Sequence, residues 1–224
     1  IEKLGYKYSD IIVGTMPNLE EHVAGVIGYK REVSCVPMGL DINHIQDTLP
    51  LPSGYKEKYS LDKSFVVAHA GAIGITNALE TFFLCAESLA DRPQIHFVIV
   101  GEGYLKAEYQ ERFNHLPNLT FAPKVPRKMV QSVLQECALL YFSTPKSMVW
   151  KYGQSLNKVI DYMLSARPIV ASYSGYPSMV NEAECGSYVS AGDVSALRNE
   201  IIRYSELSEV ELDMLGLAGK NWLL

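Results

Sequence analysis

The sequence predicts an α/β protein built on a Rossmann-like, doubly wound parallel sheet. Three observations carry this. From Phe65 onward, short apolar runs alternate regularly with helix-patterned segments. The runs are apolar throughout rather than alternating with polar residues, as strands buried on both faces are. Glycine-bearing loops follow the strand ends, where such sheets bind ligands.

Before that alternation, Tyr8–Gly14 reads as a short strand. Asn18 to Ile27 reads as a helix with Asn18 as its cap and Glu20 and Glu21 in a first turn that favours acids. Glu32–Val36 reads as a second strand, stopped by the turn Pro37-Met38-Gly39-Leu40-Asp41. Residues 47–62 lose the pattern, with Pro50, Pro52, Ser53 and Gly54 among charges and tyrosines, and read as a linker. The regular part follows. Its strands are Phe65–Ala70, Ile95–Val100, Leu119–Phe121, Ala138–Phe142, Ile169–Ser172 and Ser187–Val189. The helix from Asn77 to Ala90 has Asn77 as cap and Glu80 three residues on, a capping-box spacing. Another helix runs from after Gly103 to Phe113, and Pro126 opens one that reaches Glu136. Helices follow at Ser178–Ala183 and Val194–Tyr204, and the tail from Ser205 is helical in composition. The expected organisation is 1–46 as the end of a preceding domain, 47–62 as linker, 63–204 as the Rossmann-like domain and 205–224 as a terminal helix. Ile1 opens in mid-pattern, as a fragment of a longer protein would.

Composition narrows the function. The chain has 224 residues, 48% of them hydrophobic, enough for a substantial core. A net charge of −5 argues against a general nucleic-acid binder. No apolar run of about 18 residues is present to span a membrane, and the first residues lack a signal-peptide pattern. The four cysteines, Cys35, Cys85, Cys137 and Cys185, form no CxxC pair and read as small reduced thiols. No metal site is expected: the histidines His22, His44, His69, His96 and His115 do not pair at ligand spacing, and no Asp-x-Asp occurs. Each histidine reads as structural. His69, beside the Gly71 turn, is the one placed for more. No GxSxG or P-loop appears, so hydrolase and simple kinase readings lack their signals.

The stretch Tyr152-Gly153-Gln154-Ser155-Leu156-Asn157-Lys158-Val159-Ile160-Asp161-Tyr162-Met163 organises the rest. Ser155 is placed to cap a helix that starts in a polar loop. Asn157 and Asp161 share a face, with Lys158 three residues from Asp161. Free amides and a lysine at a helix start make an anion site, and a carboxylate one turn on suits a sugar diol. The bland alternative is an ordinary first turn with a surface Lys158–Asp161 pair. Gly71-Ala72-Ile73-Gly74 would let backbone amides approach a phosphate, or is a plain βα turn; Gly101-Glu102-Gly103 reads as a structural turn. Lys124 and the Val125 backbone are placed to meet a base, with Arg127 and Lys128 read as a solvated loop.

In order along the chain, these blocks resemble the C-terminal, donor-binding domain of family 4 glycosyltransferases, retaining enzymes of the two-domain GT-B architecture. The blocks are Ser9-Asp10-Ile11-Ile12-Val13, Val36-Pro37-Met38-Gly39-Leu40-Asp41, Val98 to Gly103, Asp161 to Val170, Gly186 and Gly192-Asp193. The resemblance implies nucleotide-diphosphate binding by Gly71, Ile73, Gly74, Asn77, Gly153, Ser155, Leu156, Asn157 and Lys158, ribose binding by Asp161, and base contacts at Lys124 and Val125. Lys158 and Asp161 would carry the chemistry. It implies no cofactor and no metal. The partners would be a nucleotide-sugar donor, UDP-linked, and a glycan or lipid-linked acceptor, with no nucleic acid. The protein would be cytoplasmic, with peripheral association to the inner membrane face through the acceptor domain.

The departures matter too. The family pattern of two glutamates with seven residues between them reads Gly153 and Asp161 here, and the loop after the first strand lacks its arginine and lysine. The pattern S-x-N-K-x-x-D-Y-M is similar to a subgroup that transfers sugars such as N-acetylfucosamine in bacterial surface-polysaccharide assembly. Lys158 would then replace some of the lost diphosphate charge. Two other readings stand beside it: a non-catalytic nucleotide- or sugar-binding module, and a nucleotide-sugar epimerase of the same architecture. By itself this chain is expected to bind nucleotide weakly and to catalyse little.

Overall fold

The computed structural model describes residues 1–40 and 48–224. Asp41 of the Pro37 turn, His44 and the linker's first residue, Asp47, lie outside the described residues.

The main sheet is built from β3 (Phe65–Ala70), β4 (Ile95–Val100), β5 (Leu119–Ala122), β6 (Leu139–Ser143), β7 (Ile169–Ser172) and β8 (Gly186–Val189). All pairs are parallel, in the order β5-β4-β3-β6-β7-β8. The chain winds outward from β3 to β5, then returns beside β3 and winds the other way. The reversal between β3 and β6 opens a crevice at their carboxyl ends, the usual ligand position of such sheets.

The apolar strands are apolar because both faces are covered. Phe65, Val67, Phe97, Ile99, Leu139 and Tyr141 pack with Phe82 of α4 (Glu80–Ser88) and Leu197 and Ile201 of α9 (Val194–Ser205). Val66, Ala68, Val98, Leu140 and Phe142 face the opposite layer. That layer holds Val133 of α6 (Val130–Gln135), Val159 and Met163 of α7 (Asn157–Leu164) and Val180 of α8 (Met179–Glu182). The terminal helix α10 (Glu209–Leu223) starts with a complete capping box between Ser208 and Glu211. Residues 48–62 contain the short helix α3 (Tyr55–Lys58), and Leu51, Tyr55, Tyr59 and Leu61 pack on the second layer.

The N-terminal segment differs from expectation. The residues preceding the predicted strand form a helix, α1 (Glu2–Tyr8), and regular pairing is confined to β1 (Val13–Gly14) and β2 (Ser34–Cys35). The run Tyr8–Gly14 is too short for periodicity to fix its type. Ile11 and Val13 are exposed, so no buried face extends the strand. Helix α2 (Leu19–Ile27) forms as expected and stands on a small core of Ile12, Val23 and Ile27.

Three helix starts differ from expectation. Asn18 precedes α2, but its side-chain amide donates to Glu21 (2.7 Å) rather than accepting from the first turn. Asn77 ends a one-turn 3₁₀ segment, Ile75–Asn77, and α4 begins only at Glu80 with no side-chain cap. Arg112, on α5 (Lys106–Phe113), takes Glu80 as its partner. Pro126 opens a 3₁₀ turn, Arg127–Met129, which then leads into α6.

Candidate functional site

At the switch point between β3 and β6 the structure brings together Gly71, Asn77 and Lys158 of the sequence-predicted residues, with His69 beside them. Helix α7 starts at Asn157, with Leu156 at the N-cap position in extended backbone and no side-chain cap. Ser155 is therefore not the cap. Its hydroxyl instead accepts from the Met38 amide (2.8 Å), tying this loop to the N-terminal segment. The Leu156 amide is taken by Gln154 Oε1 (3.2 Å), and Asn157 is exposed on the first turn.

Lys158 turns inward, not toward Asp161. Its ammonium donates to Asn77 Oδ1, across the crevice from α7 to the turn after β3. Burial drives its pKa down to about 8, because removing an ammonium from water disfavours the charged form. A Cβ placed on Gly71 would stand 3.7 Å from Lys158 Nζ and 3.4 Å from His69 Nε2, so the three groups converge. His69 is fully buried. Its Nδ1 lies 3.3 Å from the Tyr141 carbonyl, while Nε2, beside Ala72, closes no well-formed hydrogen bond among the described residues. Burial first, and then the Lys158 charge, push its pKa down to about 3, so it is neutral at ordinary pH.

The loop after β3 is less open than expected. The Gly71 amide donates to Val100 O (2.9 Å), Ile73 to Glu102 O (3.0 Å) and Ile75 to the Tyr104 hydroxyl (3.0 Å). Those amides are therefore not presented to a phosphate. The glycines opposite explain the fit: a Cβ on Gly101 would meet Gly71 O at 1.9 Å, and one on Gly103 would meet Ile73 O at 2.1 Å. The Gly101–Gly103 turn is thus structural, as its sequence suggested, and it closes part of the neighbouring loop. Tyr162, given no role by the sequence reading, fixes the end of β3 by bonding the Ala70 amide (2.9 Å) and the Ala70 and Tyr141 carbonyls (3.2 Å each). Thr144, at the end of β6, is buried with its hydroxyl unpartnered among the described residues.

Asp161 lies one turn beyond Lys158 and is engaged by Arg127. The guanidinium donates to both carboxylate oxygens, at 2.5 and 2.6 Å, the two-point geometry of strong Arg–carboxylate pairs. Arg127 is thus not simply a solvated loop residue. No sequence signal pairs it with an acid thirty-four positions later; only the approach of the turn after β5 to α7 does. Lys124 is exposed and Val125 half-buried on that same turn.

Gly153 is the other surprise. Its φ is +103°, a region disfavoured for side chains, and a Cβ there would strike Pro17 at 2.4 Å. Pro17 comes from the loop before α2. The Asn18 amide donates to Tyr152 O (3.0 Å), holding the two loops together. Where the resembled pattern carries an acid, this chain has no room for a side chain. Beside it, a cleft of about 520 Å³ is lined by Asn18, Glu21, Ser147, Met148, Lys151, Ser174, Gly175 and Tyr176. Lys151 pairs with Glu21 across it at 2.5 Å. Among the described residues, no three His, Cys, Asp or Glu side chains gather as a metal site would need, and no helix is long and apolar enough to cross a membrane.

Residues 64–206, spanning β3 to α9, match the family described as glycosyl transferases group 1. The chain belongs to this family. No curated protein matches this glycosyl transferase chain in sequence. Its fold is shared with HepE of Anabaena, solved with UDP-glucose, at a TM-score of 0.67 and 16% identity, over 98% of this chain and 59% of that one. S. aureus TarM, solved with fondaparinux, α-GlcNAc-glycerol and UDP, gives a TM-score of 0.69 at 14% identity over 99% and 42%. Sucrose-phosphate synthase of Thermosynechococcus elongatus gives 0.67 at 18% over 99% and 55%. The group 1 chain described here thus spans less than two thirds of the length of each of these structures.

Proposed function

We propose that this chain is the donor-binding part of a retaining, metal-independent glycosyltransferase. It would move a sugar from a UDP-sugar to a glycan or lipid-linked acceptor in surface-polysaccharide assembly. The observation that carries this reading is the pair on α7: Lys158 buried at the β3/β6 switch point with no carboxylate partner among the described residues, and Asp161 one turn further along. Membership of the group 1 glycosyl transferases and fold neighbours solved with UDP or UDP-glucose support it.

In this reading Lys158 and the uncapped start of α7 face the diphosphate. Asn77, Gly71, Ile73, Gly74, Ser155, Leu156 and Asn157 shape its surroundings, and Asp161 holds the ribose. Lys124 and the Val125 backbone lie toward the base. The bond between the sugar's anomeric carbon and the β-phosphate oxygen breaks. The acceptor oxygen bonds to that carbon on the same face, and its proton passes to the departing phosphate. Lys158 stabilises the charge that develops on the leaving group, the kind of preorganised electrostatics that dominates many such sites. Residues 1–46 would close a preceding acceptor domain, 47–62 link it, 63–204 bind the donor and 205–224 end as a helix. The acceptor domain would bring any contact with the inner membrane face, with the enzyme in the cytoplasm.

The test is calorimetric titration with UDP, GDP and ADP, with and without Mg²⁺. UDP binding unchanged by Mg²⁺ and abolished by Asp161→Ala is expected, with Lys158→Ala costing about 1.5–3 kcal/mol. Binding that ignores both substitutions overturns the reading. Gly153 backed by Pro17, with no acid at the sugar end, favours a second reading as a non-catalytic nucleotide-binding module. Sugar transfer by the full-length protein separates the two.

A further inference from the structure

We propose that Arg127 is a displaceable cap on the ribose site: its guanidinium and the ribose 2′,3′-diol compete for the same two oxygens of Asp161. This rests on the nucleotide-binding reading above and adds a residue that reading does not use.

The geometry is that of a site already filled. Arg127 places one N–H on each carboxylate oxygen, at 2.5 and 2.6 Å. A vicinal diol would use the same pattern, one O–H to each oxygen. With Arg127 in place the Asp161 side chain is only 11% exposed, so little of the carboxylate is left for a ribose to reach. Below it, the Asp161 carbonyl accepts from Gln131 Nε2 at 3.0 Å, which anchors the α7 backbone but leaves the carboxylate to Arg127.

Arg127 itself is 62% exposed and sits on a single 3₁₀ turn. Its charge remains hydrated when it swings out, whereas Asp161 is held on a buried helix face. The arginine is largely in water already, so its release costs little desolvation, and the two hydroxyls of the diol replace the two N–H bonds it gave to the carboxylate. The competition sets nucleotide affinity and makes the cap's removal favour binding. A cation that merely attracted the diphosphate would act in the opposite sense.

The experiment is calorimetric titration of the full-length protein with UDP and with 2′,3′-dideoxy-UDP. Arg127→Ala is expected to tighten UDP by about three- to tenfold, because the competing partner of the carboxylate is gone, and to leave the dideoxy analogue unchanged. Arg127→Lys, which loses the fork, falls between. Asp161→Asn, isosteric and uncharged, abolishes the preference for the diol. Weaker UDP binding by Arg127→Ala, or an equal shift for both nucleotides, overturns the cap while Asp161-dependent binding keeps the donor reading. Binding indifferent to Asp161→Asn, or no binding by any variant, overturns both.

Discussion

Lys158 and Asp161 stand one turn apart on α7 and handle buried charge in opposite ways. Asp161 is paired at both oxygens by a largely exposed arginine. Lys158 faces an amide oxygen and a neutral histidine, and burial lowers its pKa to about 8. One charge is met by an opposite charge; the other, among the described residues, is met only by an amide oxygen. A buried group strongly perturbed by desolvation at a sheet's switch point is a candidate functional group. Stability explains the first residue well and the second poorly.

The largest effect that would sharpen this contrast lies at the start of the segment that carries both residues. Gly153→Glu restores the acid of the resembled pattern, but must adopt φ of +103° and push into Pro17. A loss of about 3 kcal/mol or more in urea unfolding is expected from strain and overpacking together. A stable variant with higher transfer activity would show that the Pro17 contact is easily remodelled.

Next comes the pH dependence of UDP affinity. If Lys158 faces a diphosphate as proposed, it does so protonated, so affinity is expected to fall by up to about tenfold per unit above pH 8. Lys158→Met should abolish that fall. The same burial predicts a stability effect of the other sign. Between about pH 8 and Lys158's ordinary value the unfolded chain holds more protons, so stability rises with pH there. Lys158→Met should stabilise the ligand-free protein at pH 7 by about 1–2 kcal/mol. A destabilised variant with unchanged binding would make Lys158 a structural residue like any other.

The smallest effect concerns His69, whose pKa is lowered to about 3. As pH falls below the ordinary histidine value, the unfolded chain takes up a proton that the folded one refuses, and stability is lost toward pH 3. At pH 5 the expected loss is about 2 kcal/mol relative to pH 7. His69→Phe should flatten that part of the profile. An unchanged acid slope would mean that His69 is open to water.

Much of this was legible in the chain. The apolar runs from Phe65 to Val189 marked the strands, since strands covered on both sides are largely apolar rather than alternating. The glycines beside them marked the turns after the strands, but not that the Gly71 and Ile73 amides are taken by Val100 and Glu102. Tyr8–Gly14 was misread because a short apolar run carries no period, and Asn18 and Asn77 because a capping residue type also serves other hydrogen bonds.

The sequence by itself determined the fold class, the six strands of the main sheet to within a residue and the nomination of Lys158 and Asp161, because hydrophobic periodicity and helix spacing are local properties of the chain. Tertiary structure alone decided their partners. Arg127 reaches Asp161 from another layer, Asn77 meets Lys158 across the β3/β6 reversal, and Pro17 fills the space beside Gly153. Each contact joins residues more than thirty positions apart. Hydrogen bonds and steric exclusion act over a few ångströms of space, and the winding of the sheet sets which residues come that close.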